Sequence, residues 1–300
     1  MTNKFAIALE KYMKHTHFTK KIAAVVCSAA TLATALFAPT ALNASAYQYG
    51  DFTYDVSGGA AWITSCKDGM KNVYIPASIS GLYASLNSNF SCKNIKNTLE
   101  VFELPNTNLN GIPACCFENC TKLKSVHLSK CTPVIQHGAF SGCTSLKQVH
   151  IPYGTVQIDH GAFAGAGNTD FIVHNPDTPF VDTTAGIAYT AAHKPYTGTI
   201  YAAKGSLAER YAKNNNYQFV DFVIGDVDGN NRVDAIDASK ILRIYCGSET
   251  NVTKKQMIAA DVNQDGYVDS IDASRVLAYY AAISTGDKRT LEQFSYYNYN

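Results

Sequence analysis

The sequence predicts a multi-domain protein, a β-rich solenoid of short repeats followed by a small all-α module. Two internal duplications of different length predict it. One recurs every 23 residues through the middle of the chain with strand-like alternation. The other recurs at an offset of 35 near the C-terminus, each copy running into a helical pattern. The chain is 300 residues long, enough for two or three small domains with cores of their own. With 46% hydrophobic residues it is not a disordered chain, and 16% charge with a net +1 excludes nucleic-acid binding by bulk electrostatics.

The first segment reads as an export signal. Lys4, Lys11, Lys14, Lys20 and Lys21 face one acid, Glu10, and the apolar run 22–37 and the triplet Ala44-Ser45-Ala46 follow. This is the order of a signal peptide over 1–46, with cleavage expected after Ala46. The apolar run is short and rich in Ala, Ser and Thr for a membrane span, and no other segment is long enough for one. The expected product is secreted and extracellular, and without 1–46 its net charge becomes −3.

Residues 47–222 are read as the solenoid with its caps. Three segments from Ile112, Ile135 and Ile158 align without gaps and keep Phe117, Phe140 and Phe163 in phase. Val126, Val149 and Ile172 are also in phase, and Leu99, Phe102 and Leu104 form an irregular earlier copy. Val73 to Pro76 supplies a strand before that. Each copy supplies a short strand with alternate residues inward (Val126 and Leu128 in, His127 out), then a turn with an inward Phe. A 23-residue unit cannot bury its apolar face alone, so copies must stack and the ends must be capped. Ser206 to Glu209 opens a capping helix to about Asn214, with Tyr201, Leu207 and Tyr211 expected to close the stack.

The pattern IxxxAFxxCxxLxxVxIP at 135–152, with the terminal segment 200–219, resembles the BspA-like class of bacterial leucine-rich repeats. That resemblance covers about 70–222 and implies a curved β-lined solenoid used mostly for binding rather than catalysis; it names no ligand, and an unknown protein or glycan is the expected partner. Within it, Cys120 and Cys143 share one repeat position and read as a buried ladder of small side chains. His127 and His150, and His137 and His160, also recur at 23; an outward binding strip is expected from the first pair in preference to a metal site. No cysteine pairs show zinc spacing, and the disulfide connectivity stays open. No nucleophile elbow, phosphate loop or HExxH occurs, so no catalytic residue is assigned.

The C-terminal duplication carries the chemistry. DVDGNNRVDAIDASKILRIY from Asp226 and DVNQDGYVDSIDASRVLAYY from Asp261 share ten of twenty residues. Oxygen side chains fall at loop positions 1, 3, 5, 9 and 12: Asp226, Asp228, Asn230, Asp234 and Asp237, then Asp261, Asn263, Asp265, Asp269 and Asp272. Arg232 and Tyr267, at position 7, would offer backbone carbonyls. This is the spacing by which an EF-hand-like loop wraps a hard cation that takes six to eight oxygens, so two Ca2+ ions are expected. Gly266 makes the turn at position 6 of the second loop, and Asn231 replaces it in the first. Ile241, Leu242 and Tyr245, and Val276, Leu277 and Tyr280, read as the apolar stripes of the helices that follow. Thr253 and Gln256 cap a linking helix, and no helix enters the first loop.

Paired loops of this pattern without an entering helix resemble a dockerin over 225–284, within a unit read as 223–284. The resemblance implies calcium-dependent plugging into a cohesin of a scaffoldin, in cellulosome-type complexes of anaerobic bacteria. It places partner contacts at Ala235, Ile236, Ser270 and Ile271, with Lys240, Arg243 and Arg275 on the helices. Arg243 stands opposite Ala278 and Ile244 opposite Tyr279, so one docking orientation is expected. The junction 216–224 has no Pro/Thr/Ser linker, which sets the dockerin close to the solenoid cap. The tail, 285–300, is open between packing and standing free. The expected function is a secreted, non-catalytic cellulosomal binding protein. The alternatives are a dockerin-borne enzyme of plant polysaccharide degradation, which would need a catalytic domain where the repeats lie, and a cell-surface adhesin.

Overall fold

The computed structural model describes residues 47–105, 110–180 and 196–298, so the expected signal peptide lies outside the described residues. The chain opens with strands β1 (Tyr47–Tyr49), β2 (Phe52–Ser57) and β3 (Ala60–Cys66). After β4 (Asn72–Tyr74) come β5 (Ser78–Ile79) and β6 (Leu82–Leu86), which join the first three in a sheet of order β1-β2-β3-β6-β5. This sheet covers the N-terminal end of the core through Ile63, Ile79 and Leu86, all fully buried.

The solenoid proper is a parallel sheet. Its strands are β4, β7 (Val101–Glu103), β8 (Ser125–His127), β10 (Gln148–Ile151), β12 (Asp170–Val173), β13 (Thr199–Ala202) and β14 (Gln218–Asp221), in that spatial order. Register is set by one inward row, Val73, Phe102, Val126, Val149, Phe171, Ile200 and Phe219. A one-residue slip would turn this row outward. The third copy departs from the expected phase by one residue: Phe171, not Ile172, stands beside Val149, and Ile172 lies in the outward row with His150. Behind it, two short strands, β9 (Val134–Ile135) and β11 (Gln157–Ile158), pair in parallel. Phe140 lies between Phe117 and Phe163 with ring centroids 4.9 and 5.0 Å away and planes nearly parallel. Backbone amides tie the same turns, with Phe117 donating to Ala139 (2.8 Å) and Phe140 to Ala162 (2.7 Å). Cys120 and Cys143 are fully buried free thiols on this ladder.

The C-terminal cap differs from expectation. Helix α1 (Leu207–Asn214) begins at Ser206, whose side chain accepts the Glu209 N–H. The sheet continues past it, because β14 adds a seventh parallel strand. Tyr211 packs on the solenoid core, but Tyr201 points to the other face of the sheet. That face is not free. Helices α2 (Ala235–Tyr245), α3 (Lys254–Ala260), α4 (Ser270–Ser284) and α5 (Leu291–Asn298) build a second core, which includes Ile172 and Tyr201 from the strands. Phe222, Ile224, Val227, Ile258, Val262, Leu291 and Phe294 complete it. Lys254 pairs with Asp170 of β12 and stands over the Tyr201 ring. The tail packs through α5: Phe294 meets Tyr279, and Tyr296 meets Tyr153 of the solenoid. Among the described residues no helix is long and apolar enough to cross a membrane.

The outward histidines are therefore partly covered, which corrects the reading of an open binding strip. Glu103, His127, His150, Ile172, Tyr201 and Val220 form one outward row. The apolar members of that row are buried only because the helical module lies on them. His150 Nδ1 is 3.2 Å from Nε2 of His174, which is buried and meets the Phe222 ring edge-on. Burial, with the charges of His127 and Lys254, pushes His150 down to about 4; burial, His150 and Lys130 hold His174 well below the ordinary histidine value. The unfolded chain takes up these protons near pH 6.5 and the folded one does not, so stability falls as pH drops below that value. The slope is about 1.4 kcal/mol per pH unit for each histidine. Urea midpoints at pH 7.5 and 5.0, in calcium, should show this loss. A His150→Gln, His174→Gln double variant should lose less, which separates the pair from the buried carboxyl groups.

Candidate metal centre and docking face

Both loops are organised by carboxylates that collect backbone amides. Asp226 accepts the N–H groups of Gly229 (2.9 Å), Asn230 (3.1 Å) and Asn231 (2.9 Å), and Asp261 those of Asp265 (3.1 Å) and Gly266 (3.0 Å). The chain can wrap so tightly only where it turns left-handed, at positions 4 and 6. The first loop has Gly229 (φ 83°) and Asn231 (φ 63°) there; the second has Gln264 (φ 59°) and Gly266 (φ 84°). Each loop thus keeps one glycine, and the expected tolerance of Asn231 is met. Asp237 and Asp272, at position 12, are fully buried and close the loops from the helix side. Asp237 accepts from Val227 (2.8 Å), Asp228 (3.1 Å) and Asp234 (3.0 Å), and Asp272 from Asn263 (2.9 Å) and Asp269 (2.8 Å). Asp234 and Asp269 cap α2 and α4, each in a capping box. Their position-9 carboxylates are engaged there with the Ile236 and Ile271 N–H groups.

These donors suit a hard cation. Ligand atoms of Asp226, Asp228 and Asp237 lie within 4.8 Å of one another, an all-oxygen group in which Asp226 and Asp237 are buried and Asp228 is exposed. In the second loop, burial and the charges of Asp272 and Asp265 hold the Asp261 carboxyl well above the usual range, and burial raises Asp272 to about 6. Mutual repulsion among buried carboxylates is what a divalent cation relieves, and Ca2+ takes such oxygens readily. Asn230 and Asn263 turn their amide NH2 toward Asp228 and Asp265 (2.9 Å each), leaving their oxygens on the Arg232 and Asp265 N–H groups.

Two features escaped the sequence. First, of the expected stripes only Ile241 and Val276 turn inward. Ala238 and Ile241, and Ala273 and Val276, are buried next to Asp237 and Asp272, while Leu242 (42% exposed), Tyr245 (59%), Leu277 (46%) and Tyr280 (39%) face outward. The position-12 aspartate has to point into its loop. That fixes the helix rotation and leaves the second apolar row unburied. Ile236 (58% exposed) and Ile271 (50%), in the first turn of α2 and α4, are exposed as well. Ala235, Ser270 and Arg243 are also exposed; Lys240 and Arg275 are half-buried. Arg275 is turned toward Lys130 of the solenoid, whose ammonium is lowered to about 8 by burial and by that guanidinium. Second, the second loop touches the solenoid. A side chain added at Gly266 would meet His127 Nε2 at 3.2 Å. Between them lies a cavity of about 210 Å³ lined by Lys124, His127, Lys147, Gln148, His150 and Gln264.

Fold and loops together define a class, a repeat solenoid that carries a duplicated calcium-loop module. Comparison with known families identifies both parts. Residues 65–183 match the BspA type leucine rich repeat region in six copies, and residues 224–279 match the dockerin type I domain. The chain thus joins BspA-type leucine-rich repeats to a type I dockerin. Six copies exceed the regular ones visible by phase alone, because the copies N-terminal to Ile112 carry insertions. Among solved structures, a leucine-rich repeat protein from Bacteroides capillosus ATCC 29799 is 24% identical over 39% of this chain and 88% of its own, with TM-score 0.34. The T. pallidum leucine rich repeat protein is 18% identical over 66% of this chain and 94% of its own, with TM-score 0.42. No curated protein matches. Type I dockerins bind calcium, and their partner in general is a cohesin.

Proposed function

We propose that this is a secreted, non-catalytic component of a cellulosome-type assembly. Its dockerin, loaded with two Ca2+ ions, plugs into a cohesin of a scaffoldin, and its repeats present a binding surface for a protein or glycan. The exposed apolar side chains Ile236, Leu242, Ile271 and Leu277 carry this reading. A small module that leaves such side chains in water while its core is shared with the solenoid has the surface a partner would bury. The contacts to the solenoid run through α3, the second loop, Arg275 of α4 and α5, while Ile236, Leu242 and Arg243 of α2 stand exposed. The reading as a binder is supported by the repeats, which fill 65–183 and leave no room there for a separate catalytic domain.

A pulldown against a cohesin panel in calcium tests the docking. Ile236→Asp with Ile271→Asp should lower affinity at least 100-fold while circular dichroism is unchanged, since both side chains are exposed. Unaltered capture by the double variant would sink the proposed face. A glycan array and a hydrolysis assay on plant polysaccharides test the rest: retention without released sugar is expected, and turnover would mean an enzyme.

A further inference from the structure

The buried cysteines of the N-terminal half are not equivalent. Cys120 and Cys143 share a repeat position, and the Cys143 thiol donates to the Phe117 carbonyl (3.2 Å). Cys92 and Cys116 stand in a different relation. The Cys92 N–H donates to the Cys116 carbonyl (2.9 Å), as Phe117 donates to Ala139 and Phe140 to Ala162. In its own turn Cys92 therefore occupies the place of the ladder phenylalanines, and Cys116 that of the small alanine on the next turn. Both side chains enter the same core, each 1% exposed. Backbone positions joined in this way on neighbouring turns lie about 5 Å apart, inside the range a disulfide spans.

We propose that Cys92 and Cys116 are a disulfide pair that staples two consecutive solenoid turns when the chain folds in the presence of a small-molecule disulfide. The Cys92 thiolate attacks one sulfur of the reagent, whose other half leaves as a thiolate. The Cys116 thiolate then attacks the Cys92 sulfur of the mixed disulfide and expels the second half. Two protein thiols lose two protons and two electrons; the reagent's S–S bond becomes two thiols. The step belongs to folding, because burial suppresses the thiolate and closes access once the turns have stacked. Cys131 and Cys246 lie outside this core.

The test is to refold the full chain from urea with oxidised and reduced glutathione, alkylate it, count thiols after denaturation, and map peptides by mass spectrometry. Two thiols should disappear, with Cys92 and Cys116 in one cross-linked peptide. The melting temperature should rise by roughly 5 °C over the reduced protein, reversibly with reductant. Cys92→Ser should abolish both changes and Cys66→Ser neither. A full set of free thiols after refolding overturns the proposal, as does a bridge that uses Cys66, Cys120 or Cys143.

Discussion

Asp226→Ala combined with Asp261→Ala should abolish calcium-dependent capture by a cohesin and unfold the module from 225 to 284. These two side chains start the loops and take five backbone amides between them. Without them neither loop holds its left-handed turns, and the remaining carboxylates face each other with no cation between. Calcium affinity should fall by at least two orders of magnitude, because binding energy and folding energy are coupled in so small a metal-stapled unit. The shared core adds a consequence. Ile172 and Tyr201 are buried by the module, so its loss exposes them, and a dye that reports apolar surface should brighten on the double variant. Calorimetry in calcium and in chelator checks the first part; binding that persists in chelator would remove the dockerin reading of the docking.

Phe140→Ala should destabilise the solenoid by about 3–5 kcal/mol. The ring is fully buried and contacts a stacked ring on each side, so the cavity can collapse only by moving two neighbouring turns. Tyr280→Ala serves as the comparison, since that ring is 39% exposed and should cost little. Urea denaturation of both variants in calcium measures the difference. Equal, small effects would mean that the turns do not stack in the register of the Phe ladder.

What the sequence made legible follows from repetition. The Phe117, Phe140 and Phe163 phase and the oxygens of the two loops each occur more than once at fixed spacing, so chance is excluded by the second copy. One feature that escaped it has no second copy. Nothing in the antiparallel run from β1 to β3 recurs, and its alternation is interrupted by a shift at Thr53 and Tyr54. The 23-residue phase assigns Ile172 inward with Val126 and Val149, but Phe171 takes the place beside Val149, which leaves Ile172 and Tyr201 on the outer face, where the helices bury them. The exposed stripe of Leu242 and Leu277 is a conflict between two local signals. Apolar spacing suits either rotation of the helix, and the aspartate that must reach its loop decides between them.

The sharing of one core between solenoid and dockerin bears on how the protein would behave under load. A scaffold holding α2 and α4 and a ligand holding the repeats would pull on opposite ends of the same chain. In a linker-joined protein the connection stretches first and the modules reorient freely. Here the pull would pass through Phe222 and Ile224 into β14 and β13, where parallel strands resist it in shear, while the Lys254–Asp170 pair and the α5 strap oppose peeling. The binding surface would therefore be presented at a fixed bearing relative to the scaffold, and tension would be felt as strain in the strand ladder before any slack is taken up.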